Sequence, residues 1–220
     1  MKYPLVRYIY FGFITVLAFR TPIGAQTPQV TLEPSFPQTG ALKLTSPIVK
    51  NGGNLPKEFT GDGESATPPL VWEGGSKDVK AYAVIMHHID PQGLEKWYWV
   101  LYNIPADVHQ LPKNVKSIGL LGNNSINRRA GYAPPHSKGP GAKTYILTLY
   151  ALSDMLKIEL PATRINRQVL IKAMQGHVLD SSILKVVYTR PASAFDVSAT
   201  EQGGVERQRR PRNNSAQVYP

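Results

Sequence analysis

From Lys80 to Asp90 the chain alternates: Tyr82, Val84, Met86, His88 and Asp90 share one face and Ala81, Ala83, Ile85, His87 and Ile89 the other. That two-residue period predicts a β-strand. Segments 41–49, 97–104, 143–152 and 183–189 read as strands in the same way, and the fourth of these five brings Lys143, Tyr145, Leu147 and Leu149 onto one face. One helix is expected over 163–175, with Thr163 as its cap, Ile165, Val169, Ile171 or Lys172, and Met174 at rough helical spacing, and Gly176 as its stop. Several strands followed by one late helix predict a mainly β fold, an antiparallel β-sandwich rather than a βαβ unit. The chain shows no internal repeat.

The two ends fall outside that pattern. Residues 1–25 place Lys2 and Arg7 before the apolar run Tyr8 to Phe19, which is too short for a standard membrane span, and end on Thr21-Pro22-Ile23-Gly24-Ala25. This is the layout of a signal peptide and predicts export to a periplasmic or external space, an uncleaved anchor being the lesser reading. Residues 26–40 read as a Pro/Thr/Gln-rich linker, 41–191 as one domain, and 192–220, with Arg207-Gln208-Arg209-Arg210-Pro211-Arg212, as a disordered basic tail.

Composition narrows the function. With 42% hydrophobic and 18% charged residues the 220-residue chain is globular, and 19 prolines and 18 glycines suit short strands joined by turns. It has no cysteine, so disulfides, thiolate metal sites and cysteine nucleophiles are excluded. The net charge is +10, of which only +5 belongs to residues 26–200. That suits a small anionic ligand or an acidic surface, with peripheral membrane contact at most, and lacks the concentrated basic face of a nucleic-acid binder. His87 and His88 point to opposite faces of one strand and cannot share a metal ion without a bulge. His177 at a helix end reads as a charge favourable to the helix dipole. Asn123-Asn124-Ser125 and Asn213-Asn214-Ser215 match the glycosylation sequon.

The strongest chemical signal is Gly131-Tyr132-Ala133-Pro134-Pro135, followed by Gly139-Pro140-Gly141 and the strand opening Lys143-Thr144-Tyr145. The prolines fix the backbone and the glycines let it turn close to a ligand, which builds one wall of a small pocket. Trp97-Tyr98-Trp99 offers an aromatic floor. With Leu44-Thr45-Ser46-Pro47, Leu55-Pro56-Lys57-Glu58-Phe59-Thr60-Gly61-Asp62-Gly63, Pro68-Pro69-Leu70-Val71-Trp72 and Met174-Gln175-Gly176-His177, these motifs resemble, in order, the phosphatidylethanolamine-binding protein family and its bacterial Raf-kinase-inhibitor-like branch. The resemblance runs from about Leu42 to Arg190. It implies antiparallel sheets packed face to face, with a helix near the C-terminus.

It also implies an anion pocket for phosphoryl head groups, which this chain keeps in part. Asp90 and Pro91 match the family's strand end, with Gln92 in place of a second Asp. Tyr98 stands where a His is expected, Tyr132, Pro134 and Pro135 match the turn, Lys143 replaces a second His, and Tyr145 is retained. His88 joins this set through its strand face alone. A lysine ammonium and phenolic hydroxyls can hold an oxyanion, and a carboxylate at Asp90 would favour the charged form of His88. Exchanging two histidines for Lys and Tyr predicts binding that depends little on pH between about 5.5 and 8. The core offers a plainer role for Tyr98 and Tyr145 as packed aromatics with satisfied hydroxyls.

The first expectation is therefore an exported, non-enzymatic binding protein for a small anion or phosphoryl ligand, needing no cofactor or metal. The alternative is a protein-interaction or inhibitor module whose pocket is idle. A hydrolase built on His136 or Ser137 is the third reading, because Pro135-His136-Ser137-Lys138-Gly139 faintly resembles a nucleophile elbow without its leading glycine.

Overall fold

The computed structural model describes residues 35–136 and 141–191. The leader-like segment 1–25, residues 26–34 of the linker, Ser137 and the tail 192–220 lie outside them. The described strands are β1 (Lys43–Thr45), β2 (Leu70–Glu73), β3 (Ala81–Ile89), β4 (Glu95–Pro105), β5 (Gln110–Leu111), β6 (Leu120–Leu121), β7 (Ala142–Leu152) and β8 (Val178–Thr189), with the helix α1 (Arg167–Met174) before β8. They form two antiparallel sheets, ordered β1-β2-β5 and β6-β4-β3-β7-β8.

The alternation of β3 separates two cores. Tyr82, Val84 and Met86 pack between the sheets with Leu44, Trp72, Leu101 and Leu147. Ala81, Ala83 and Ile85 pack on the other side with Val100, Leu152, Leu170, Ile171 and Met174. The large sheet is thus buried on both faces along β3, beneath the small sheet on one side and α1 on the other. The small residues Ala81 and Ala83 give the helix room to approach.

Several element bounds differ from those the sequence predicts. β1 ends at Thr45 rather than residue 49, because Pro47 lacks a ladder donor and Ser46 turns its hydroxyl to the Pro69 carbonyl at 2.7 Å. β8 begins at Val178 rather than residue 183. Its polar start, Asp180-Ser181-Ser182, hides the strand in the pattern, yet each side chain is bonded. Asp180 accepts from the Thr39 amide and hydroxyl at 2.8 and 2.6 Å and from the Leu42 amide at 3.0 Å. The Ser181 hydroxyl donates to Pro37 and the Ser182 hydroxyl accepts from the Leu44 amide. Residues 37–39, assigned to the linker on sequence, are therefore tied to β8, and Phe36 packs edge-on against Tyr150.

The helix is shorter than expected, and its cap is Asn166, not Thr163. The Asn166 side chain accepts from the Val169 amide at 2.8 Å, whereas Thr163 lies in a 3-10 turn, Ala162–Arg164. Ile165 and Leu170, before the cap and one turn into the helix, are both buried in the same core and fix the entry angle. Gly176 ends the helix with φ +79° as expected. His177 faces the Asp154 carboxylate at 3.5 Å, a side-chain partner that its position near the helix end did not reveal.

Candidate ligand-binding site

The candidate site forms at the end of the inner face where β3, β4, β7 and β8 meet two turns, 59–63 and 132–136. Two departures from regular pairing create it. The first is a bulge on β4: Met86 pairs with Trp99 and His87 with Trp97, so Tyr98 is the extra residue. A bulge re-aims a side chain, and here Tyr98 and Trp99, consecutive in sequence, both enter the core between the sheets. A regular strand would send one of them to the helix side.

The second is a parting of β3 from β7, whose ladder ends at His87 opposite Ile146. Beyond it, the His88 imidazole takes the Thr144 carbonyl at 2.8 Å through Nδ1. A carbonyl can only accept, so Nδ1 carries the hydrogen and Nε2 of the neutral ring remains an acceptor. His88, Asp90, Pro91, Lys143, Thr144 and Ile146 border a groove of about 380 Å³ in this gap. Three of the residues expected at the site, His88, Asp90 and Lys143, thus line one groove.

Asp90 also shapes the β3–β4 turn. Its carboxylate accepts from the Leu94 and Gln92 amides at 2.9 and 3.1 Å and pairs with Lys96 at 3.1 Å. The Leu94 amide is the main reason its acidity is raised, against the opposing effect of partial burial and with the help of Lys96. His87 turns the other way, to Glu95 at 3.6 Å, and Glu95 in turn meets Arg167 at 2.9 Å. Among the described residues no three His, Asp or Glu side chains are placed to hold a metal ion.

The tyrosines lie beside the groove. Tyr98 and Tyr145 meet edge to face at 5.1 Å, and His88 lies 5.4 Å from Tyr145. Tyr132 packs on Trp99 at 5.8 Å and donates to the Phe59 carbonyl at 2.7 Å. The Pro135 carbonyl accepts from Gly61, which holds the Pro134-Pro135 turn against the 59–63 loop. Tyr145 is fully buried, and its hydroxyl is turned to that of Tyr98 without a hydrogen bond of regular geometry among the described residues. Burial, and then the neighbouring Tyr98, push its acidity far down, so the hydroxyl stays protonated and able to donate. The expectation of core aromatics holds for the rings of Tyr98 and Tyr145, which both pack into the core between the sheets.

Sequence reasoning missed Asp62, Tyr188 and Arg190. Tyr188 lies opposite Lys143 in the β7–β8 register, and its hydroxyl donates to Asp62 Oδ2 at 2.6 Å. Arg190 Nε donates to Asp62 Oδ1 at 2.8 Å, and His136 Nε2 lies 3.2 Å from the same oxygen. Burial raises the Asp62 pKa, but the bonds from Tyr188 and Arg190, aided by His136, outweigh it and leave the carboxyl below its ordinary range. The signal was available: Asp62 stands inside the Phe59–Gly63 motif, and Tyr188 and Arg190 continue the Leu184, Val186 face of β8. The Asn123 sequon points elsewhere, since the Asn123 amide donates to Thr163 at 2.6 Å and its oxygen accepts from Trp97 at 3.4 Å. Asn213 lies outside the described residues.

Comparison with known proteins agrees with this architecture. The family model for phosphatidylethanolamine-binding protein matches residues 45–189. The chain belongs to that family. It is 31% identical over 153 residues to a UPF0098 protein of Methanothermobacter thermautotrophicus, covering 68% of this chain and 99% of the relative. It is 32% identical over 133 residues to the UPF0098 protein YbhB of Escherichia coli, covering 54% and 82%. Among solved structures, Chlamydia trachomatis CT736 matches with a TM-score of 0.64 at 24% identity. Escherichia coli YbcL, described as a member of the mammalian PEBP family, matches at 0.62 and 23%. In both cases 69% of this chain and 99% of the other are covered, which shows the fold. In this family member, Tyr98, Lys143 and the Asp62 cluster share one end of the sandwich.

Proposed function

We propose that this family member is an exported, non-enzymatic binding protein that holds a small anion or phosphoryl head group at this end of the sandwich. The observation that carries the reading is the Tyr145 hydroxyl. A buried hydroxyl without a well-formed hydrogen bond is costly, and a ligand oxygen would satisfy it better than the Tyr98 hydroxyl does. Tyr145 lies on the face of β7 that also carries Lys143, a cation that lines the groove. His88 borders the groove and stacks beside Tyr145, which packs on Tyr98, while Tyr132 of the Tyr132–Pro135 turn packs on Trp99. Export rests on the layout of residues 1–25, and fractionation of the native host with N-terminal sequencing checks it: a mature chain starting near Gln26 outside the cytoplasm is the expected result.

Binding is tested by a two-dimensional NMR titration of the labelled protein with phosphate, phosphoethanolamine and a short-chain phospholipid. Saturable shifts at Lys143, Tyr145 and residues 132–136, lost in Lys143→Ala, are expected. No shift at millimolar ligand would overturn the reading in favour of a protein-interaction or inhibitor module. That alternative draws on the exposed Leu120 and Leu121 of the edge strand β6 and the nearby exposed Ile126.

A further inference from the structure

His136 lies at this end outside both the lining of the groove and the tyrosine cluster. Its side chain is 50% exposed, while the Asp62 it touches is only 7% exposed. Asp62 already has a buried cation in Arg190 and a hydroxyl from Tyr188, so it does not require His136 for neutrality. The contact instead fixes the imidazole. A carboxylate with its proton removed can only accept, so Nε2 of His136 carries hydrogen and Nδ1 is the nitrogen that gains or loses one. Nδ1 has no partner among the described residues. When neutral, it offers a lone pair that repels an oxyanion. When protonated, it offers a charged donor.

Backbone geometry supports this placement. A side chain at Gly61 would bring its Cβ within 2.8 Å of His136 Cβ and 3.0 Å of Cγ, so only glycine lets the imidazole lie across the 59–63 loop. The Gly61 amide also holds the Pro135 carbonyl, which fixes where His136 begins. Tyr188, which anchors Asp62, is the register partner of Lys143. The imidazole and the ammonium therefore flank the same end of β7 and β8.

We propose that His136, positioned by Asp62, is a ligand-binding residue that completes the phosphoryl site with Lys143 only when its Nδ1 is protonated. The proposal rests on the anion-binding reading above, and it reverses the expectation of pH-independent binding drawn from positions 98 and 143. The groups facing His136 are Asp62 from its loop and, through Asp62, Tyr188 and Arg190 from β8. The other histidine of this end, His88, is turned to Thr144.

The test is binding of two probes whose own charge is constant from pH 5.5 to 8, sulfate and dihexanoyl phosphatidylethanolamine, to the full chain. Affinity should be roughly tenfold higher at pH 5.5 than at pH 8, the size of a charged hydrogen bond gained. A slope in the sulfate arm assigns a free anion, and a slope in the lipid arm alone assigns a head group. The slope should vanish in His136→Gln, whose amide keeps a donor for Asp62, and shrink in Gly61→Ala, which crowds the ring. It should persist in His88→Gln. Binding with the same slope in His136→Gln, or a slope lost in His88→Gln, would overturn the proposal and leave the anion site standing. No binding of either probe at any pH would overturn both. Nitrogen shifts of His136 supply an independent readout, since sulfate should raise the pH at which its Nδ1 loses the proton.

Discussion

At the residue scale, the ring and the hydroxyl of Tyr145 can be tested apart. Its ring fills the core beside Tyr98 and His88, while its hydroxyl faces that of Tyr98 without a hydrogen bond of regular geometry. Tyr145→Phe keeps the ring and removes this poorly bonded hydroxyl. Thermal stability should hold or rise, by up to about 1 kcal/mol, because the desolvation cost disappears. Phosphoethanolamine affinity should fall about tenfold, the loss of one hydrogen bond to an anion. Calorimetry of both properties on one variant checks the pair. A fall in stability would mean that the hydroxyl serves the fold. The motif made Tyr145 legible in the sequence, but the setting of its hydroxyl was not, because that depends on Tyr98 being turned inward by a bulge.

At the element scale, the helix and the 122–131 loop are held by single residues. Asn166 caps the eight-residue α1, and Asn166→Ala should cost about 1 kcal/mol. The corresponding loss of Tm is roughly 2–4 °C for a domain of this size. Thr163→Ala should change Tm little, since Thr163 does not cap. Gly122 has no room for a side chain: an added Cβ would lie 2.4 Å from the Ile165 carbonyl and 2.6 Å from Val100 Cγ1. Gly122→Ala should therefore destabilise by roughly 1–3 kcal/mol, read by thermal unfolding. A second bulge, between Tyr82 and Val84, sends Asn103 into φ +52°, where its amide bonds both the Leu156 amide and carbonyl at 2.8 and 2.9 Å. Asparagine tolerates that conformation better than most residues, and the bond fixes the segment leading toward α1.

At the scale of the whole molecule, two buried carboxylates fasten the two ends of β8. Asp180 ties its start to residues 39–42, and Asp62 ties the residues at and just beyond its end to the 59–63 loop. Burial raises the pKa of Asp180, but the bonds from Thr39, Leu42 and Ser181 outweigh it, and the net effect is a lowering, as at Asp62. A carboxyl whose folded pKa lies below its unfolded value of about 3.9 stabilises the fold at pH values above 3.9. That stability is lost as pH falls through the folded pKa. Denaturation midpoints should therefore stay level from about pH 7 to 5 as far as these groups are concerned, and fall steeply below about pH 4. Asp180→Asn should lower stability at pH 7 by on the order of 2 kcal/mol and flatten the acid limb. An acid limb unchanged in that variant would contradict the assignment. The free edge of β8 is covered in turn by residues 52–55, whose backbone bonds to Lys185 and Val187, so the sheet presents no open edge there.

The sequence by itself determined the inner and outer faces of β3 and β7, because side-chain direction follows the two-residue period of a strand wherever the backbone is regular. It also determined the family, through motifs whose order survives even where single residues change. The tertiary structure decided what lies where that period breaks or where a polar side chain finds a distant partner. Tyr98 joins Tyr145 only because β4 carries an extra residue there. Asp180 makes β8 longer than its apolar run because residues 39–42, some 140 positions away, supply its donors. Asp62, Tyr188, Arg190 and His136 meet only when the 59–63 loop, the end of β8 and the Tyr132–Pro135 turn are folded onto one another. Hydrogen bonds between residues far apart leave no local period, so only the folded chain shows which polar groups are paired.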